Sequence, residues 1–267
     1  MIYIFRGQLF GEIVSGFREP LAGATLRLYQ YRGTKYISGR FVADPSGPLT
    51  VMSPDTMRSK MASFMIETTA DAQGRFVFKL DEQRGYQGEA CELDLFLTSV
   101  PGRKSQAPLP PVQIALTTIR LKAQDAAADT TAMWEYCLPA DLWREVRARF
   151  DAWLICGRVI SQSTAQPVPG IRVSAVDADW IQDDTLGSAL TDDAGKFRID
   201  YARADFTRTP LSPVINREES GPDLYFQLAT PGGSVLLDEP KTQGQMAERK
   251  NTGHCFFIEF TIETVAA

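Results

Sequence analysis

The sequence predicts an all-β protein, built as two tandem antiparallel β-sandwiches joined by a linker that carries a short helix. Three observations carry this expectation. One turn is written twice, in "TTADAQGRFVFKL" (68–80) and "LTDDAGKFRIDY" (190–201), which share Asp-x-x-Gly-basic-Phe-x-apolar. Each copy feeds a strand of period two: Phe76, Phe78 and Leu80 face one side, as do Phe197, Ile199 and Tyr201. Matching Gly/Pro punctuation precedes both, at Pro20-Leu21-Ala22-Gly23 and Pro167-Val168-Pro169-Gly170. Short alternating strands separated by such turns are the signature of a sandwich, and their repetition makes two. The turn itself has a local cause. An Asp side chain accepts from backbone a few residues on, and Gly takes positive φ without steric cost.

In chain order, the first sandwich is expected over 1–123. "GEIVSGFREPLAGATLRLY" supplies strands around its Pro-Gly turn, the repeated turn supplies the next, and "ELDLFL" (92–97) and "VQIALTTIRL" (112–121) complete it. Gly23 and Gly74 lie 51 residues apart, whereas Gly170 and Gly195 lie only 25 apart. The first copy therefore carries an insertion at about 31–62, rich in Gly, Pro and Ser. Loops that long are functional or disordered, so this one is expected at one end of the sandwich and is a candidate partner surface. Residues 124–152 read as the linker. "QDAAADTTA" (124–132) is small, polar and acidic, and "LPADLWREVRARFDAW" sets Leu138, Leu142, Trp143, Val146 and Phe150 at helical spacing, opposite Arg144, Glu145 and Arg147. Pro139 near the helix start costs nothing, because the first turn has no partner for that N–H. The second sandwich is expected over 153–267. Its "PDLYFQL" (222–228) answers "ELDLFL", and its "CFFIEFTIE" (255–263) answers 112–121. On this alignment Phe76 matches Phe197, and Leu95 matches Leu224.

Composition sets limits on function. A chain of 267 residues, 44% hydrophobic and 23% charged, is long enough for two independent cores. A net charge of −5 without a Lys/Arg cluster argues against a nucleic-acid surface. No apolar run reaches the length of a membrane span, and "MIYIFRGQLF" lacks the basic start and long apolar centre of a signal peptide. The expected location is cytoplasmic, or exported without a cleavable signal as part of an assembly. The four cysteines, Cys91, Cys137, Cys156 and Cys255, form no Cys-x-x-Cys pair, so a zinc site is not expected. Cys156 and Cys255 fall on the first and last strands of the second half, and free thiols are the expectation for both.

The order strand, Pro-x-x-Gly, strand, Thr-Asp-x-x-Gly-x-Phe, strand, Asp-Leu-aromatic resembles the transthyretin-like or carboxypeptidase-regulatory-like β-sandwich. The resemblance covers about 157–263 closely, through "PVPGIRVSAVDADWIQDDTLGSALTDDAGKFRIDY" and "GPDLYFQLAT". The first half keeps Asp71 and Gly74 but has Ala70 and the insertion. What the resemblance implies is a fold, since such sandwiches host carriers, hydrolases, dioxygenases and passive modules. The hydroxyisourate hydrolases of this fold use several histidines and a terminal Tyr-Arg-Gly-Ser. This chain has one histidine, His254, and ends "TIETVAA", while its "YRGT" (31–34) stands at the wrong end of its domain. Intradiol dioxygenases bind iron with two His and two Tyr, which one histidine cannot supply. A Ser-His-Asp hydrolase would need His254, and no Gly-x-Ser-x-Gly elbow accompanies it.

The acidic segment "DADWIQDDTLG" (177–187) is the most chemically suggestive stretch. Asp177, Asp179, Asp183 and Asp184 are candidate ligands for a hard cation such as Ca²⁺, and no other cofactor is expected. The competing reading is that turns recruit Asp and a solvated loop tolerates four carboxylates. Trp180, in the same loop, is either a lid on the sandwich end or an exposed anchor for a partner. The expected function is non-catalytic: protein–protein interaction or scaffolding, as a component or accessory of a larger bacterial assembly such as a secretion or injection apparatus. The alternatives are a carbohydrate or small-ligand binding module, and an enzyme of unrecognised type. Clustered exposed aromatics would favour carbohydrate, and an open sheet edge would favour a protein partner.

Overall fold

Strand β1 (Ile2–Val14) buries every second residue from Tyr3 to Ile13, as its alternation dictates. Around it the computed structural model describes residues 2–31, 49–81, 86–120, 133–178, 183–207 and 221–263. The strands after β1 are β2 (Phe17–Pro20), β3 (Thr25–Gln30), β4 (Phe64–Thr69), β5 (Arg75–Asp81), β6 (Ala90–Leu97), β7 (Val112–Arg120) and β8 (Trp134–Leu138). Helix α1 (Pro54–Lys60) precedes β4, and helix α2 (Ala140–Arg149) follows β8. Then come β9 (Trp153–Ser161), β10 (Arg172–Asp177), β11 (Asp184–Leu190), β12 (Lys196–Tyr201), β13 (Leu224–Ala229), β14 (Val235–Asp238) and β15 (Cys255–Ile262). The chain divides into two compact units, Met1–Pro101 with Pro108–Val146, and Gly102–Ala107 with Arg147–Ala267.

Apart from β2, the two units have the same strand order. The first contains the sheet β4-β3-β6-β7 and a second in which β1 pairs with β5, β8 and β2. The other contains β11-β10-β13-β14 and β12-β9-β15. In this second unit one apolar core draws on both sheets, with Ile155 and Val159 from β9 packed among Val173, Phe226 and Phe260. Pairing is antiparallel except that the first strand of each unit pairs in parallel with the last: β1 with β8, and β9 with β15.

The repeated turn is the same object twice. One carboxylate oxygen of Asp71 accepts from the N–H groups of Gln73 and Arg75 at 2.9 and 2.8 Å, and Asp192 accepts from Ala194 and Lys196 at the same distances. Gly74 and Gly195 sit at φ of 75° and 68°, where an L side chain is strained. Their carbonyls accept from Leu9 and Val159 at 2.9 and 2.8 Å, so each turn is fastened to its unit's first strand. A Cβ on Gly195 would lie 2.6 Å from the Val159 carbonyl oxygen, and one on Gly74 would collide with that of Leu9. The turn thus carries the chain from one sheet to the other, β4 to β5 and β11 to β12, and fastens that crossing to the first strand of its unit.

Register settles which positions correspond. Phe76 lies opposite Gly7 and Phe197 opposite Gly157, so these two phenylalanines are equivalent, as the sequence alignment has it. Leu95 lies opposite Leu26, whereas Leu228 lies opposite Val173, the equivalent of Leu26. Leu95 therefore matches Leu228, four residues beyond the expected Leu224. The closing strands also need correction. β7 corresponds to β14, and the counterpart of β15 is β8, inside the expected linker 124–152. Two apolar runs look alike in sequence, and neither specifies the strand it will pair with. Residues 124–132 lie outside the described residues.

The helix stands where its spacing places it. Leu138, Leu142, Trp143, Val146 and Phe150 are all buried. Trp143 lies over Gly11, whose missing side chain leaves room for the indole, and its N–H donates to the Glu19 carboxylate at 2.6 Å. Arg147, expected on the solvent face, is instead fully buried with its guanidinium 3.5 Å from Asp200. Of the insertion, residues 32–48 lie outside the described residues. The remainder does not sit at an end of the sheet. Val51 bridges to Ile114, Met52 donates its N–H to the Gln113 carbonyl at 2.9 Å, and α1 lies over the outer face of β4-β3-β6-β7.

Candidate functional site

The acidic segment is mostly spent on structure. Asp177 ends β10 buried, and its carboxylate accepts the Asp223 N–H at 2.6 Å. Asp183 accepts from the Tyr225 hydroxyl at 2.7 Å and pairs with Lys241 at 2.5 Å. Burial, and then donation to Asp183, pushes the Tyr225 phenol up to about 12. Asp184 opens β11 directly across from Asp177. Asp179 and Trp180 fall outside the described residues. Among the described residues no three His, Cys, Asp or Glu side chains stand close enough to share a metal ion. Asp177 and Asp183 fasten β10, β13 and the segment around Lys241 to one another.

His254 is a packed ring. It stacks on Trp153 with centroids 3.9 Å apart, and its Nε2 lies 3.7 Å from Asp151, which also accepts the Trp153 indole N–H at 2.9 Å. Burial lowers its pKa, Arg203 and Arg147 push the same way, and Asp151 opposes them. All four cysteines are free thiols. Across the β9–β15 pairing Cys255 faces Leu154 while Cys156 faces Phe257, so the two are not cross-strand partners. Burial pushes the Cys91 thiol up to about 12, far from the thiolate a nucleophile needs.

The densest polar constellation lies elsewhere, and the sequence reading did not single it out. Lys60, the last residue of α1, places its ammonium 2.7 and 2.8 Å from the two oxygens of Asp94 and 2.8 Å from Glu92. The Gln113 amide donates to Asp94 at 2.6 Å and to the Tyr29 hydroxyl at 3.0 Å. The ammonium also stands 4.8 Å from the Tyr29 ring centroid. Asp94 belongs to the outward face of β6, yet it has no exposed surface, because α1 covers it. Burial raises its pKa; the nearby Lys60 charge and hydrogen bonds from Lys60 and Gln113 oppose that rise. A shallow cavity of about 350 Å³ adjoins the cluster, bordered by Gln30, Met52, Thr56, Lys60 and Glu92. The only local signal was a lone carboxylate between Leu93 and Leu95. Its partner comes from an insertion whose path the sequence leaves open.

The second unit provides an internal comparison. By register the counterpart of Asp94 is Gln227, which is exposed and bonds Asp238 at 3.3 Å. The same sheet therefore forms without the buried charge.

No family model matches the chain, and no curated protein matches it. Among solved structures, it is similar to the shaft pilin SpaA of Lactobacillus rhamnosus GG, with 9% identity, full coverage of both chains and a TM-score of 0.27. It is also similar to a minor pilin of Streptococcus agalactiae, with 9% identity over 99% of this chain and 97% of that one, at a TM-score of 0.23. A putative carbohydrate-binding protein from Pseudomonas aeruginosa covers 51% of this chain and 87% of its own length, with 15% identity and a TM-score of 0.25. Similarity at this level assigns neither a family nor a function. No helix among the described residues is long and apolar enough to cross a membrane.

Proposed function

We propose that the protein is a non-catalytic interaction or scaffolding component of a larger bacterial assembly, with a transthyretin-like sandwich as its repeated unit. The observation that carries this reading is an open edge. Among the described residues β15, eight residues long, stands at the end of its sheet beside β9, and Phe257, Glu259 and Thr261 are exposed along it. A long edge strand offers a row of backbone donors and acceptors to an extended segment of another protein. Supporting the non-catalytic part, the groups best suited to chemistry are engaged: His254 in a ring stack, Asp177 and Asp183 in hydrogen bonds, Cys91 as a buried thiol. A carbohydrate site asks for clustered exposed rings, and among the described residues the exposed rings are Phe64 and Phe257, in separate units.

The test is capture from the native host with wild type and a Phe257→Lys/Thr261→Lys variant, since edge lysines discourage strand addition. The expected outcome is loss of the captured protein, read by mass spectrometry, with an unchanged melting temperature. Retention of the same partner by the variant, or wild type that binds polysaccharide arrays and captures no protein, overturns the reading.

A further inference from the structure

We propose that the β15 edge is occupied by the β5 edge of a second copy of this chain, joined antiparallel with Lys79 opposite Glu259 and Arg75 opposite Glu263. The inference rests on the reading of β15 as a docking edge and names its partner. Among the described residues β5, like β15, stands at the end of its sheet, with β1 beside it. Its outward side chains run basic, apolar, basic: Arg75, Val77 and Lys79 are all exposed, Val77 at 40%. β15 and the residue after it offer the complement, acid, Thr, acid, in exposed Glu259, Thr261 and Glu263.

Laid antiparallel, the two edges match along the whole of β5. Lys79 on Glu259 sets Val77 beside Thr261 and Arg75 beside Glu263, and it places Asp81 opposite Phe257, where no like charge meets it. The period of two brings the core-facing residues into register as well, with Phe76, Phe78 and Leu80 opposite Ile262, Phe260 and Ile258. Opposite charges directly across a ladder stabilise it, and like charges do the reverse. Glu259 already lies beside the Arg158 guanidinium, but both members of that pair are solvent-exposed, so the carboxylate accepts a second cation at little cost.

The counterparts of these edges do not match in this way. By register, Arg75, Val77 and Lys79 correspond to Lys196, Arg198 and Asp200 on β12. There Arg198 donates to Asp200 at 2.7 and 2.8 Å, so the ladder pairs within its own strand. On β8 the counterpart of Glu259 is Glu135, which accepts from Arg18 at 2.6 Å, and Pro139 stands at the position of Glu263. The basic edge thus belongs to the first unit and the acidic edge to the second. Each copy offers one of each, and such a heterologous contact closes into a ring or runs on from copy to copy. The rival occupant is β5 of a second copy, with Arg75 opposite Asp81. That contact joins two edges of the same net sign and leaves β15 open, so complementarity favours the unlike pair.

The test is self-association of the full chain, read by sedimentation velocity across the micromolar range. Wild type should associate with rising concentration, and added salt should weaken the association. Lys79→Glu and Glu259→Lys should each weaken it on the order of tenfold without moving the melting temperature, because a like pair replaces an opposite one. Mixing the two variants should restore it. The unaltered β15 of one then meets the unaltered β5 of the other, and the reversed charges face each other at the second contact. Arg75→Glu with Glu263→Lys repeats the exchange if a variant of the first pair folds poorly. A wild type that stays monomeric, association that Glu259→Lys leaves unchanged, or a mixture as weak as its components overturns the proposal. If wild type stays monomeric while Phe257→Lys/Thr261→Lys still abolishes capture of a host protein, β15 remains the docking edge and the second copy is not its occupant.

Discussion

His254 and Asp71 mark the two limits of what a single residue discloses. Asp71 and Gly74 are legible in the sequence because the bonds that shape their turn close within a few residues; the Gly74 carbonyl reaches farther, to Leu9 of β1. His254 is not: its stacking partner Trp153 and its carboxylate neighbour Asp151 lie about a hundred residues earlier in the chain. Its lowered pKa carries a testable sign. The folded unit holds fewer protons than the unfolded chain just below the ordinary histidine value, so its contribution is full above about pH 6.5 and is lost as pH falls through the window beneath. His254→Phe keeps a ring on Trp153 and removes the proton. Urea denaturation at pH 7 and pH 5 should show wild type losing more stability on acidification than this variant. Equal losses would mean that His254 titrates as it does in water.

At the scale of elements, α2 was legible because five apolar residues share one helical face, and a helix announces its own period. β8 was not, since "WEYCL" is only five residues long and its reason for being a strand is the parallel edge of β1. α1 was illegible for a different cause: its seven residues include none that is buried, so no apolar stripe betrays it. For α2 the key contact is Trp143 over Gly11 with its N–H on Glu19. Trp143→Phe keeps most of the ring but removes a hydrogen bond to a carboxylate that is 3% exposed, a loss of about 1.5–3 kcal/mol. Adding Glu19→Gln to this variant should return part of that loss, because a neutral amide is less costly to leave without the indole. A double variant no more stable than Trp143→Phe alone would show that the carboxylate was already satisfied by other groups.

For the whole molecule, the repeat was legible and the pairing of its edges was not. Turn, alternation and Gly/Pro punctuation are local and recur in both halves. The choice of partner strand is a long-range outcome, which is why β8, the last strand of the first unit, reads as linker in the sequence. Phe76 and Phe197 hold equivalent core positions in separate units, 2% and 3% exposed. Truncating either to Ala should cost about 3–5 kcal/mol. Hydrogen exchange resolved by segment should show Phe197→Ala loosening β9 and β12 while β1 and β5 keep their protection, with the converse for Phe76→Ala. Loosening of all four strands by either variant would mean that the two units fold as one.

The parallel pairing of β9 with β15 has a consequence in time. β9 is complete at Ser161, and the strand that covers its edge begins only at Cys255. At synthesis rates of about 5–20 residues per second, that is a wait on the order of 10 s. During it, β9 emerges from the ribosome with Ile155, Cys156 and Val159 made and one flank unpaired. β12 can cover the other flank early, while β15 has yet to be made. The second unit therefore spends part of every round of translation as a half-built sheet, in the interval when a chaperone, or a second nascent chain, has its best chance of reaching that edge.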